Sequence, residues 1–137
     1  MRTKIFSLFA VAILIAIVCL TFSACGTGGT DIDLTTMSST MVYSQVSNMV
    51  SKPSDYKGKV VKAKGTCGVY TDSRTGKKYY SVIIQDATAC CSQGLEFVLK
   101  DGKYPSKGKS ITVEGTFRTY RENGYTYCQL ADAKLIS

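Results

Sequence analysis

Apolar and polar residues alternate with period two over two stretches fifty residues apart. In the first, Val61, Ala63, Gly65, Cys67 and Val69 share a face opposite Lys62, Lys64 and Thr66. In the second, Ile111, Val113, Gly115 and Phe117 oppose Thr112, Glu114, Thr116 and Arg118. Such alternation predicts half-buried strands with an apolar inner face. The two stretches share one frame: a Gly-Lys start (Gly58-Lys59 and Gly108-Lys109), a Gly-Thr inside the strand (Gly65-Thr66 and Gly115-Thr116) and a tyrosine four residues on (Tyr70 and Tyr120). Each then passes through a polar turn, residues 72–78 and 121–124, into a tyrosine-led strand that closes on Asp86-Ala87 or Asp132-Ala133. Two copies of strand, hairpin and strand predict a small closed sheet, because a solenoid needs about three repeats to bury its faces. Glycine weakens a strand unless the chain bends sharply there, so Gly65 and Gly115 fit the corners of a barrel.

The remaining elements follow from the same patterns. Tyr80, Val82 and Ile84 make one face of a second strand, and Leu95, Phe97 and Leu99 the inner face of a third. Thr126, Cys128 and Leu130 share the inner face of a fifth, over residues 125–135. Residues 36–51 space Met37, Met41, Val42, Gln45, Val46, Met49 and Val50 at threes and fours, the period of an amphipathic helix, and Lys52-Pro53 ends it. With one apolar stripe and no partner helix, it must lie on the sheet as a plug over one open end. Only residues 101–108 separate the third and fourth strands, too few for a helix there. The expected fold is mainly β: a five-stranded Greek-key barrel with an N-terminal amphipathic helix packed on it.

Five strands in this order, two of them long and glycine-kinked, resemble the oligonucleotide/oligosaccharide-binding (OB) fold. The likeness runs from Pro53 to the C-terminus and is nearest to bacterial OB-fold lipoproteins of the tRNA-anticodon-binding-like superfamily. A partial likeness to a membrane-associated OB family rests on Pro53, Tyr56, Gly58 and Lys59 and on the pair Cys90-Cys91. Ser92-Gln93 stands where that family has Ala-Asp. The resemblance implies a ligand groove over the second and third strands, flanked by the loops joining strands one to two and four to five. Arg74, Lys77, Lys78 and Tyr79, then Arg118, Tyr120, Arg121 and Tyr125, are the aromatic and cationic residues there that could stack bases or sugars and hold phosphates. The bland alternative is that tyrosine favours strands and turns are polar.

The N-terminus decides where such a domain would live. Arg2 and Lys4 precede an apolar run over residues 5–20, and Phe22-Ser23-Ala24-Cys25 is close to a bacterial lipobox. Residues 1–24 therefore read as a lipoprotein signal peptide, with Cys25 accepting a diacylglycerol; an uncleaved membrane anchor is the alternative. Either places the remainder on the extracytoplasmic face of the cell membrane. Residues 25–35, rich in Gly and Thr, read as a flexible tether, and residues 36–137 as the helix and barrel.

Charge and chemistry narrow the function further. The chain carries 17 Lys and Arg against 10 Asp and Glu, a net charge of +7. Such an excess favours anionic partners, whether nucleic acid, cell-wall polymer or lipid headgroups, or simply keeps an anchored domain soluble. With no histidine, the commonest general base and metal ligand are missing. Asp86 and Asp132 could form a carboxylate pair, but they occupy matching strand ends, where Asp commonly opens a turn. A non-enzymatic binding module is the expected class. Cys67, Cys90, Cys91 and Cys128 leave three readings open: a disulfide framework, a thiolate cluster for zinc or copper, and buried free thiols. A module docking on an envelope protein partner is a further alternative.

Overall fold

The computed structural model describes residues 29–136. The signal segment and Cys25 lie outside them; within them no helix is long and apolar enough to cross a membrane. Strands β1 (Ile32–Asp33), β2 (Val60–Thr71), β3 (Lys78–Gln85), β4 (Ser92–Leu99), β5 (Ser110–Glu122) and β6 (Tyr125–Ile136) form one sheet, and the helix α1 spans Ser39–Ser51. Their order is β1-β2-β3-β4-β6-β5, and β5 returns to pair with β2, so five strands close a ring. All neighbours in the ring are antiparallel except β4 and β6, which run parallel. This is the OB-like arrangement the sequence predicts.

Closure depends on β2 serving two partners. Its first half, from Val60 to Thr66, pairs with β5, and its second, from Thr66 to Thr71, pairs with β3. Gly65 stands where the strand changes partner. A Cβ there would lie 2.3 Å from the Ile83 carbonyl oxygen, so no other residue allows that approach. Gly115 on β5 is similarly crowded, by Ala133 and the Ala131 carbonyl of β6. At that point β6 carries one extra residue against both neighbours, and Asp132 takes a positive φ of 51°. Before the bulge the expected inner face holds at Leu130, which is buried, and Cys128, which packs against the core, while Thr126 beside the hairpin turn is exposed. Past it the alternation shifts, so Ala131 and Ala133 are buried as well.

The inward residues form one core with Phe97, Phe117, Leu95, Leu130, Val61, Val82 and Val113 at its centre. Helix α1 packs against β3 and β4 and contributes Val42, Val46 and Met49 to that core. It starts three residues later than its periodicity suggests, because residues 34–36 form a short 3-10 turn. Met41 and Val50, placed on the apolar stripe by spacing, are 59% and 43% exposed: the stripe in contact is narrower than the sequence pattern. Tyr104, in the loop after β4, stacks on Tyr80 at 3.8 Å between ring centres and covers another part of the core.

The stretch expected to be a free tether is docked over its last residues. Ile32 and Asp33 pair in parallel with Val61 and Lys62, filling the β2 edge that β3 leaves open. Leu34 is buried in the core, and Thr30 donates to Glu114 of β5 at 2.6 Å. Leu34, with Ile32 and Met37 partly buried against the core, and one unpaired strand edge fix the segment despite its loop-like composition.

Candidate functional site

The β2–β3 and β5–β6 hairpins each supply one cross-strand tyrosine pair. Tyr70 of β2 faces Tyr79 of β3 in register, with ring centres 6.1 Å apart. Tyr120 of β5 faces Tyr127 of β6 and stacks on it at 5.5 Å. The four rings line a cleft of about 300 Å³ with Asp72, Glu96, Glu122 and Asn123. The β5–β6 turn that forms one wall is an Asn123-Gly124 hairpin in which both residues have positive φ, the backbone that two-residue hairpins demand. The facing loop, residues 72–77, is held by Asp72, whose carboxylate accepts from the Arg74 and Thr75 amides. Those bonds hold its pKa below the usual carboxylate value.

The floor of the cleft is acidic and hydrogen-bonded. Glu96, projecting from β4, accepts from the Tyr120 hydroxyl at 2.6 Å. Burial pushes the Glu96 carboxyl up, against the opposing effect of that bond, and burial together with the adjacent Glu96 pushes the Tyr120 phenol above its ordinary range. Glu122 accepts from Lys77 at 2.7 Å and from the Tyr79 hydroxyl at 2.8 Å, which lowers its pKa. The Lys77 ammonium also lies 4.5 Å from the centre of the Tyr79 ring. The carboxylates thus keep lone pairs free for a ligand, while Lys77 is already neutralised by Glu122.

Of the residues expected from the sequence, Tyr79 and Tyr120 line this cleft and Lys77 joins it through Glu122. Lys78 lines an adjoining depression with Lys77, Tyr79, Glu96 and Tyr120, and a second, shallow one with Tyr80, Pro105 and Lys107. Arg74 and Arg121 are exposed, and Tyr125 is 69% exposed; none of the three is among the lining residues. Arg118 turns instead to Asp132, 2.9 Å away. Sequence reasoning missed Tyr70, Tyr127, Glu96 and Glu122. Tyr70 and Tyr127 were marked by the duplicated frame, which puts a tyrosine near the end of each long strand and another near the start of the strand that follows.

The four cysteines do not come together. All are free, so the disulfide framework expected as one reading is not formed. Cys67 is buried on β2 beside the residue 105–109 loop, and burial raises its thiol pKa, as it does for Cys128 on β6. Cys90 and Cys91 sit in the β3–β4 turn, at the opposite end of β3 from the tyrosine cleft that Cys128 adjoins. A cluster of Cys67, Cys90, Cys91 and Cys128 is ruled out by that separation. Asp86 opens the same turn by accepting from the Cys90 amide, whereas its sequence counterpart Asp132 lies inside β6 at the bulge.

No protein-family model and no curated protein matches the chain. Among solved structures, it is similar to a Klebsiella pneumoniae protein provisionally named a nucleic acid-binding lipoprotein, at 24% identity over 66% of this chain and 80% of that one, with a TM-score of 0.42.

Proposed function

We propose that the chain is a non-enzymatic, lipid-anchored binding module that holds an uncharged glycan in the cleft between its two hairpins, outside the cytoplasm, with Cys25 as the anchor. The carrying observation is the composition of that cleft: two tyrosine pairs around Glu96 and Glu122, with Lys77 already paired. Tyrosine faces take the apolar C–H faces of a pyranose, and ionised carboxylates accept from its hydroxyls. The same carboxylates repel a phosphodiester backbone at close range. Single-stranded nucleic acid is the second reading, favoured by the exposed Arg74 and Arg121 outside the cleft.

One titration separates the two. The full chain, in a sugar-free detergent, is titrated with chitohexaose and, in parallel, with a fluorescent oligothymidine, each at low and high salt. Tyrosine emission reports the first, since the chain has no tryptophan. A glycan site gives saturable chitohexaose binding that changes little with salt, and Tyr79→Ala or Tyr120→Ala weakens it about tenfold, equivalent to about 1.4 kcal/mol. Oligothymidine binding that falls steeply with salt would move the assignment to nucleic acid. Binding of neither probe removes the cleft as a site for both classes.

A further inference from the structure

The β3–β4 turn, far from the tyrosine cleft, gathers a second group of reactive side chains. One ligand atom from each of Asp86, Cys90 and Cys91 lies within 4.8 Å of the others. The Cys90 and Cys91 sulfurs are 3.6 Å apart, and the Cys90 sulfur is 3.2 Å from Oδ2 of Asp86. The opposite oxygen, Oδ1, accepts from the backbone amides of Cys90 and Cys91 at 3.0 and 3.4 Å, which fixes the plane of the carboxylate. Thr88 donates to Oδ2 at 3.1 Å. Ala89 takes a positive φ of 55° where the chain reverses, just before the two cysteines.

We propose that this turn is a site for a single thiophilic divalent cation of the zinc class, ligated by Cys90, Cys91 and Asp86, with a fourth position left to water. The donor set selects the metal class: two thiolates and one carboxylate suit a borderline-soft dication. Two thiolates about 2.3 Å from a tetrahedral ion stand about 3.8 Å apart, whereas the linear geometry of two-coordinate Cu(I) separates them by about 4.6 Å. The two thiols, in ordinary contact at 3.6 Å, need to part only slightly to seat a tetrahedral ion. The oxygen fits as well: at about 2.0 Å from the ion it would lie about 3.5 Å from a bound sulfur, close to the 3.2 Å present. The amide bonds to Oδ1 are the kind of outer contact that orients a ligating carboxylate, and Oδ2, which also accepts from Thr88, is the oxygen turned to the Cys90 sulfur. On binding, both thiols lose their protons to solvent and the dication replaces them, with no change of oxidation state. The site takes only two of the four cysteines considered from sequence, and an aspartate in place of the others.

The test is a Co(II) titration of the reduced full chain, with Co(II) as the spectroscopic stand-in for zinc. The expected result is a sulfur-to-cobalt charge-transfer band that saturates at one ion per chain and is bleached by zinc. Cys90→Ser and Cys91→Ser should each weaken binding more than tenfold, and Asp86→Asn about tenfold with the band retained. Cys67→Ser and Cys128→Ser should leave the titration unchanged. Circular dichroism of each metal-free variant confirms that the barrel is intact. The absence of a band, its persistence in the Cys90→Ser/Cys91→Ser double variant, or saturation at one ion per two chains would each overturn the site.

Discussion

Glu96 and Glu122 occupy one cleft and respond oppositely to pH. Glu96 is half-buried, so loss of water raises its pKa above the ordinary 4.5; Glu122 is held below it by Lys77 and Tyr79. A carboxyl with a raised folded-state pKa binds its proton more tightly in the fold. Its contribution to stability is therefore full below 4.5 and lost as pH rises through the raised value. For Glu122 the sign reverses: its contribution is present above 4.5 and lost as pH falls through its lowered value. Carboxyl NMR titrations should place the Glu96 midpoint above 4.5 and the Glu122 midpoint below it. Glu96→Gln, which keeps an acceptor for Tyr120, should remove the loss of stability on going from mildly acid to neutral pH. Neither glutamate was legible as a site residue beforehand. Both stand on strands, and their meaning comes from the partner that closure brings across the sheet: Tyr120 from β5 for Glu96, Tyr79 from β3 for Glu122. The cations at the loops, by contrast, drew attention by charge and mostly point elsewhere.

Among the elements, β2 carries the closure, and Gly65 is where it bends between partners. Gly65→Ala drives a methyl against the Ile83 carbonyl, a backbone atom that cannot swing aside, and should cost at least about 1–3 kcal/mol in urea unfolding. Phe117→Ala, which empties the centre of the core, should cost about 3–5 kcal/mol. Gly102, at positive φ in open space, is the contrast: alanine there meets no atom, and the penalty should be only about 1 kcal/mol of backbone strain. The inner faces of β2 to β5 were readable from alternation because the extra residue of the sheet sits on β6 and leaves the alternation of those strands unbroken. The end of β6 was not. Its extra residue at Asp132 answers the close approach of Gly115, and a bulge of that kind leaves no trace in a pattern of apolar and polar residues.

For the molecule as a whole, the fold was legible in outline because the duplicated frame encodes two hairpins that can only close on each other. The segment ahead of α1 was not, since two strand residues carry no period and Ile32, Leu34 and Met37 are scattered among polar residues. Leu34→Ala should cost about 2–5 kcal/mol and release β1 together, seen as loss of hydrogen-exchange protection at the Asp31 amide, which bonds to the Val60 carbonyl. That docking also sets how far the domain can travel. With Cys25 lipidated, only six residue steps separate the lipid from Asp31, a leash of about 20 Å at full stretch. Under the proposed anchoring at Cys25, a domain so closely moored would meet only ligands that come down to the bilayer.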